Sequence, residues 1–262
     1  MKKFGLIGHP ITHSLSPALF EAAYGGRYQY DLIDNADFEK AYESFLQEYD
    51  GINVTAPFKE AAYRKADIIT PDCEAVGATN LLVKNPEGIK AYNSDFLGVR
   101  KWLVEVAERL EGQDGHRSIK VLIAGYGGAG KAAAAAASSL GMEVSIVNRT
   151  QKGSKTKPIE LFCNEFRTSD IIIYNIPAPI DGLDMLTEED CRGGREPKPK
   201  FILEANYKNP SFTPERIGHI RNANPKAEFI DGKIWLLYQA VTGYEILTGE
   251  NPDIDAMMKA LA

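Results

Sequence analysis

The segment Val121–Lys131, Val-Leu-Ile-Ala-Gly-Tyr-Gly-Gly-Ala-Gly-Lys, constrains this chain more than any other. Four apolar residues enter Gly125, and Gly125, Gly127 and Gly130 fit the spacing G-x-G-x-x-G. The alanine-rich run Ala132–Ala137 follows at once. This is strand, tight turn, helix. Glycines let a backbone approach a pyrophosphate, and a helix N-terminus offers it unpaired N–H groups and partial positive charge. The turn Gly125, Tyr126, Gly127, Gly128, Ala129, Gly130 is therefore the candidate cofactor cradle. A plain glycine turn joining a buried strand to a helix is the alternative. The second strand that reads over Glu143–Thr150 favours dinucleotide binding.

The end of that second strand bears on which dinucleotide. Folds that grip the ribose 2′-hydroxyl of NAD place a carboxylate about twenty positions beyond the glycines. Here Asn148, Arg149 and Thr150 stand at the strand end, followed by Lys152, Lys155 and Lys157. No carboxylate repels a phosphate and several cations attract one, which favours NADP. A solvated basic loop is the other reading.

The chain has 262 residues, room for two α/β units, with 44% hydrophobic and 25% charged residues, normal for a globular protein with a core. The net charge of −6 argues against a nucleic-acid partner. Cys73, Cys163 and Cys191 are scattered, with no metal-ligand or disulfide spacing, and suit reduced thiols in a cytoplasmic protein. The opening Met1–Pro10 is broken by glycines and reads as a strand, and no apolar stretch is long enough for a membrane span.

Upstream of the glycine turn the rhythm is β-α-β-α-β. Phe4–Gly8 reads as a buried strand. Ser16-Pro17 reads as a helix start with serine as N-cap, which leaves Ser14 free and makes two hydroxyls beside a helix start a possible anion pocket. A helix carries the stripe Phe38, Ala41, Tyr42, Phe45, Leu46 and Tyr49. Gly51–Thr55 reads as a short strand, whose end places Asn53, Thr55 and Lys59 where open α/β sheets bind ligands. For Lys59 the bland alternative is a solvated helix residue. Ala75–Lys84, which includes Asn80, and Ile89–Ser94 read as extended segments around a turn. Asp95 opens a helix over Phe96–Glu111 and is explained by an N-cap role. Glu111–Ser118 reads as a loop. Downstream, Asp170–Tyr174, Phe201–Glu204 and Glu228–Ile230 read as strands. Lys233–Leu247 reads as a helix with Ile234, Leu237, Ala240, Val241 and Tyr244 on one face.

Together these pieces resemble the shikimate dehydrogenase family over nearly the whole length. The resemblance rests on Ser14-Leu-Ser-Pro17, Asn53-Val-Thr-Ala-Pro-Phe-Lys59, Gly77-Ala-Thr-Asn80, Asn93-Ser-Asp95, Gly125–Gly130, Asn148-Arg-Thr150, Tyr207 and Leu236-Leu-Tyr-Gln-Ala240. It implies an α/β fold, with an N-terminal α/β substrate domain (1–98 and 231–262), a Rossmann-like NADP domain (99–230), and the site in the cleft between them. It implies NADPH-dependent reversible reduction of 3-dehydroshikimate to shikimate in aromatic amino-acid (chorismate) biosynthesis. Lys59 would be the acid–base, paired with Asp95. Ser14 and Ser16, helped by Tyr207, would hold the substrate carboxylate, and Asn53, Thr55, Asn80, Asp95 and Gln239 would surround the ring hydroxyls. Asn148, Arg149, Thr150 and Lys152 would hold the 2′-phosphate, with Ala205 and Gly232 near the nicotinamide.

The chemistry agrees. Hydride reduction of a ketone leaves an alkoxide, which a lysine at the carbonyl can stabilise and protonate. An adjacent carboxylate favours the protonated amine, so Asp95 reads better as orienting Lys59 and binding a hydroxyl. The expected partners are a small-molecule substrate and NADP, with no nucleic acid, membrane or metal, in a monomer or homodimer. Departures from the family pattern gather around the cofactor: Asn175-Ile-Pro-Ala-Pro-Ile180, Ala205 in place of a methionine, Ile234-Trp235-Leu236, and a short stretch over Gln151–Ser169. An NAD-dependent quinate/shikimate dehydrogenase and a non-catalytic NADP- or metabolite-sensing protein are the rival readings.

Overall fold

The computed structural model describes residues 2–114, 118–151 and 153–261. The chain divides into two compact units, Met1–Gly98 with Leu236–Ala262, and Val99–Trp235.

The first unit begins β1 (Lys3–Gly8), α1 (Ser16–Tyr24), β2 (Gln29–Asp34), α2 (Phe38–Glu48), β3 (Gly51–Val54). It continues through α3 (Lys59–Lys65), β4 (Ile68–Ile69), α4 (Pro71–Val76), β5 (Leu81–Asn85), β6 (Gly88–Tyr92) and the start of α5 (Ser94–Asp114). The sheet order is β2-β1-β3-β5-β6-β4. β1 is parallel to both β2 and β3, while β5 runs antiparallel to β3 and β6. The chain's last two helices, Lys233–Thr248 and Ile254–Leu261, pack with α1 on one face around Phe20, Leu237, Tyr244 and Met257. α2 and α3 cover the other face around Phe45, Ile52 and Ala62.

The second unit runs β7 (Lys120–Ala124), α6 (Gly128–Ser139), β8 (Glu143–Asn148), β9 (Lys157–Pro158), α7 (Phe162–Thr168), β10 (Ile171–Tyr174). After these come α8 (Asp181–Asp184), α9 (Glu188–Arg192), β11 (Lys200–Glu204), α10 (Pro214–Ala223) and β12 (Ala227–Asp231). Its sheet is parallel throughout, in the order β12-β11-β10-β7-β8-β9. The shortness of 151–169 shows as a two-residue β9 and a seven-residue α7 rather than as a missing strand. α11 (Lys233–Thr248) and α12 (Ile254–Leu261) close the chain.

Several local expectations change. Ala75–Asn80 is not extended: Pro71 opens and Gly77, at φ +71°, closes the short helix α4, so the strand starts only at Leu81. Leu46 is 44% exposed and Ile234 36%, so neither joins its stripe, and Trp235 is buried instead. α5 continues to Asp114, past the expected end at Glu111. Its apolar positions Val99, Trp102, Leu103, Val106 and Leu110 follow helical spacing.

Candidate active site

In the first unit the chain leaves β1 toward β2 on one side and returns to β3 on the other. A parallel sheet opens a crevice at such a point, beyond the carboxyl ends of the two strands. The loop after β1 carries Ser14 and Ser16, and the end of β3 carries Asn53, Thr55 and Lys59.

Ser16 is not a cap. Leu15 occupies the N-cap position in helical conformation and makes no side-chain cap bond. Instead the Ser16 backbone N–H donates to Ser14 Oγ, and the Ser14 hydroxyl donates to Ser16 Oγ, both at 3.2 Å. Ser14, expected to be free, thus holds the helix start, and the Ser16 hydroxyl does no capping. The Tyr244 hydroxyl donates to the Ser16 carbonyl at 3.0 Å.

Asp95 is not a cap either. The helix begins two residues earlier than expected, and Asn93 Oδ1 accepts the Phe96 N–H at 3.0 Å as the N-cap does. Asn93 is fixed in turn by donating to the Ala78 carbonyl at 2.9 Å. Relieved of that duty, Asp95 pairs through Oδ2 with Lys59 Nζ, the two side chains being 17% and 23% exposed. Lys59 opens α3, and its carbonyl accepts the Thr79 N–H at 3.1 Å, which ties it to the segment carrying Asn80.

A polar network starts from the buried neighbours Asn80 and Ser94. Asn80 Oδ1 accepts the Ser94 N–H at 2.7 Å and Asn80 Nδ2 donates to Ser94 Oγ at 3.0 Å. The Ser94 hydroxyl donates to Gln239 Oε1 at 3.2 Å. Asn53 Nδ2 donates to the Asn80 carbonyl at 3.4 Å, and Asn53 Oδ1 accepts the Tyr30 hydroxyl at 2.8 Å. Burial holds the Tyr30 and Tyr244 phenols well above the usual tyrosine range, so both stay protonated donors. Two glycines bring α11 within reach. A Cβ on Gly98 would stand 2.8 Å from Gln239 Cα, and one on Gly243 would stand 3.3 Å from Ser94 Cβ and 3.7 Å from Asn53 Nδ2. Thr55 lies over the end of β1, its Cγ2 against Gly8.

The first unit therefore joins Asn53, Asn80, Ser94 and Gln239 by hydrogen bonds, with Ser14 and Ser16 reached through Tyr30, while the Lys59–Asp95 pair is tied to them by the chain bond from Ser94 to Asp95 and by the Lys59 carbonyl. Sequence reading missed Tyr30, Ser94, Gly98 and Gly243. Ser94 stood inside a motif, but nothing local marked its partners. Tyr207 belongs to the second unit, in the loop after β11, where burial pushes its phenol up. That loop is closed by the buried Glu204 carboxylate, which accepts the Ser211 N–H and, at 3.0 Å, that of Phe212.

In the second unit the strand order reverses between β7 and β10, and the glycine turn follows β7. Gly125 sits at φ +92°, and a Cβ there would press on Ile176 at 2.9 Å. A Cβ on Gly130 would come within 2.9 Å of the Gly125 carbonyl carbon and closer still to its oxygen. By contrast nothing lies within 4 Å of a Cβ on Gly127 or Gly128. Gly127 is the N-cap of α6 and supplies no side-chain cap, so the first N–H groups of the helix have no side-chain acceptor there. Beside the turn, Asn175 Oδ1 is buried without a partner. An open backbone, an uncapped helix start and an orphaned acceptor fit a dinucleotide with its pyrophosphate at the turn and a hydroxyl at Asn175.

Asn148 Oδ1 accepts the Tyr126 N–H at 3.1 Å and Asn148 Nδ2 donates to the Thr150 carbonyl at 2.6 Å. Its side chain thus ties the turn to the basic loop, where Arg149 and Thr150 are exposed. Lys152 lies outside the described residues. Gly232 meets the end of β11: a Cβ would stand 2.7 Å from the Ala205 carbonyl oxygen, so Ala205 and Gly232 are brought together.

Comparison with known proteins finds a separate match for each half of the chain. The family model described as the shikimate dehydrogenase substrate binding domain matches residues 6–82. The NAD binding domain of D-isomer specific 2-hydroxyacid dehydrogenases matches residues 89–193. The chain is similar to a shikimate dehydrogenase (NADP(+)) of Natronomonas pharaonis, at 32% identity over 279 residues, covering 100% of this chain and 98% of that one. An enzyme of the same name from Halorubrum lacusprofundi is 30% identical, with 100% and 98% covered. Among solved structures, Mycobacterium tuberculosis shikimate dehydrogenase superposes with a TM-score of 0.76 at 28% identity, covering 100% and 98%. The Thermus thermophilus enzyme in complex with NADP(H) and shikimate gives 0.75 at 26% identity, covering 99% and 98%. With similarity over the full length at 30% identity or more, the chain belongs to the shikimate dehydrogenase family.

Proposed function

We propose that this protein is an NADP-dependent shikimate dehydrogenase, interconverting 3-dehydroshikimate and shikimate on the route to chorismate and the aromatic amino acids. The observation that carries the reading is the Lys59–Asp95 pair next in the chain to the hydrogen-bonded set of Asn80, Ser94 and Gln239, in a chain whose relatives bear that name. NADPH, when bound, supplies the hydride. The remaining tasks fall to this chain.

Lys59 holds a positive charge where a carbonyl becomes an alkoxide and delivers the proton from Nζ; in the oxidative direction the same amine receives it. Asp95 fixes the ammonium and accepts a hydrogen bond from a substrate hydroxyl. Asn53, Asn80 and Gln239 orient the ring hydroxyls. Ser14 and Ser16, at the start of α1, receive the carboxylate, where the helix N-terminus favours an anion. Tyr207 joins them in this reading. In the second unit the turn from Gly125 to Gly130 receives the pyrophosphate, Arg149 with Thr150 and Lys152 receives the 2′-phosphate, and Ala205 with Gly232 borders the nicotinamide.

A cytoplasmic monomer or homodimer fits the same reading. Burial pushes the Cys73 and Cys191 thiols up, which makes them unreactive core groups. No helix among the described residues is long and apolar enough to cross a membrane. The test is an absorbance assay for NADPH formation from shikimate. Turnover with NADP well above NAD, and with shikimate above quinate, is the expected result. Turnover preferring NAD or quinate would move the assignment to the rival dehydrogenase. Binding of shikimate with no turnover by either cofactor would make this a binding protein and sink the enzyme reading.

A further inference from the structure

A side-chain amide can present either its oxygen or its N–H₂ to a ligand, whereas a backbone N–H only donates and a backbone C=O only accepts. In the first unit two backbone groups decide the matter. Asn80 is buried, and its Oδ1 faces the Ser94 N–H at 2.7 Å, so its Nδ2 must be the atom that meets Ser94 Oγ at 3.0 Å. Ser94 is fully buried and its hydroxyl has a single proton. With Asn80 donating to its oxygen, that proton goes to Gln239 at 3.2 Å, and Gln239 must therefore turn Oε1 inward. Its Nε2 is left for a ligand. At Asn53 the Asn80 carbonyl plays the deciding part, since it can only accept from Nδ2, and the Tyr30 hydroxyl occupies Oδ1.

We infer that Ser94 is a positioning residue that sets the polarity of the substrate site. Through its N–H and hydroxyl it makes Asn80 and Gln239 present N–H donors, as the Asn80 carbonyl and Tyr30 do for Asn53. Substrate ring oxygens are thus received by these amides as acceptors, while the site's anionic hydrogen-bond acceptor is Asp95. The inference rests on the dehydrogenase reading, because it supplies the ring hydroxyls to be received. It also explains Gly98 and Gly243, which bring Gln239 and the Ser94–Asn53 pair close enough for the relay to span α5, β3 and α11.

The decisive variant is Gln239→Glu, which keeps an oxygen for the Ser94 hydroxyl but has no proton to give a substrate oxygen. Steady-state kinetics should show its KM for shikimate raised at least as far as in Gln239→Ala. A KM for Gln239→Glu nearer to wild type than that of Gln239→Ala would overturn the inference. Ser94→Ala should raise KM for shikimate roughly tenfold, the equivalent of one buried hydrogen bond, with kcat changed less than about threefold and KM for NADP unmoved. Because Ser94 acts through Gln239, adding Ser94→Ala to Gln239→Ala should raise KM less than about twofold further. A full additional tenfold rise would show that Ser94 acts independently. Wild-type turnover of shikimate, measured alongside, tests the dehydrogenase reading by itself. A silent wild type would remove that reading and the inference with it, whereas an active wild type with a tolerant Gln239→Glu would remove only the inference.

Discussion

Gly130→Ala and Gly127→Ala add the same methyl group to the same turn, and the structure assigns them different outcomes. At Gly130 the new Cβ would stand 2.9 Å from the Gly125 carbonyl carbon and nearer still to its oxygen. Both are backbone atoms of a residue held at φ +92°, so no side chain can swing aside to relieve the contact. Overpacking of this kind costs about 3 kcal/mol or more. For a chain of this size that lowers Tm by roughly 6–12 °C. At Gly127 a Cβ meets nothing within 4 Å, and the backbone at φ −82° is one that alanine adopts readily. Replacing glycine by alanine at an N-cap costs roughly 0.5–1 kcal/mol, and the stiffer unfolded chain offsets about 0.4–1 kcal/mol of it, so net stability should stay within about 0.5 kcal/mol. That methyl does occupy the open side of the turn, where a phosphate has to meet the backbone N–H groups. Loss of one charge-assisted hydrogen bond, about 1.5–3 kcal/mol, weakens NADP binding roughly 10- to 150-fold. Differential scanning calorimetry and NADPH fluorescence titration separate the two quantities. A Gly127→Ala protein that melts several degrees low, or a Gly130→Ala protein with normal Tm, would refute the reasoning.

Three further outcomes follow from the same geometry. Lys59→Met should lower kcat by about 10²–10⁴ while calorimetry still detects shikimate binding; near-normal turnover would remove Lys59 from the chemistry. Arg149→Ala should raise KM for NADP by roughly 5- to 30-fold and leave KM for NAD little changed, and an equal rise for both would remove the 2′-phosphate role. Lys200 is buried at the start of β11, where its ammonium donates to the carbonyls of Phe166 and Ser169 at 2.7 and 2.6 Å, and burial lowers its pKa to about 8. The unfolded chain holds that proton up to about 10.5, so between the two values it binds more protons than the native state and stability rises with pH. The penalty, about 3 kcal/mol, is present in full below pH 8 and relieved by about pH 10.5. Subtracting the Tm–pH profile of Lys200→Met from that of wild type should isolate this upward slope, and a flat difference would refute it.

The elements of both sheets could be read locally because their signals are local. Four apolar residues before Gly125 and an alanine run after it specify strand, turn and helix from covalent geometry alone. Thr213 with Pro214 marks the start of α10 in the same way, and its hydroxyl accepts the Arg216 N–H. Errors arose where a residue's duty depended on a boundary one or two positions away. Ser16 and Asp95 both looked like caps. Each was displaced because a neighbour was fixed from outside its own helix, Ser14 by the loop after β1 and Asn93 by the Ala78 carbonyl.

By itself the sequence determined the two α/β units, the glycine turn, the absence of a carboxylate after β8, and the residue types able to move a proton. Tertiary structure decided which of them meet. Residues 53, 80, 94 and 239 are scattered over most of the chain, and the three side-chain amides among them acquire a direction only when Gly98 and Gly243 let α11 pass close to α5 and β3. No periodicity encodes that, because hydrogen-bond polarity belongs to pairs of groups brought together by packing, not to either residue alone.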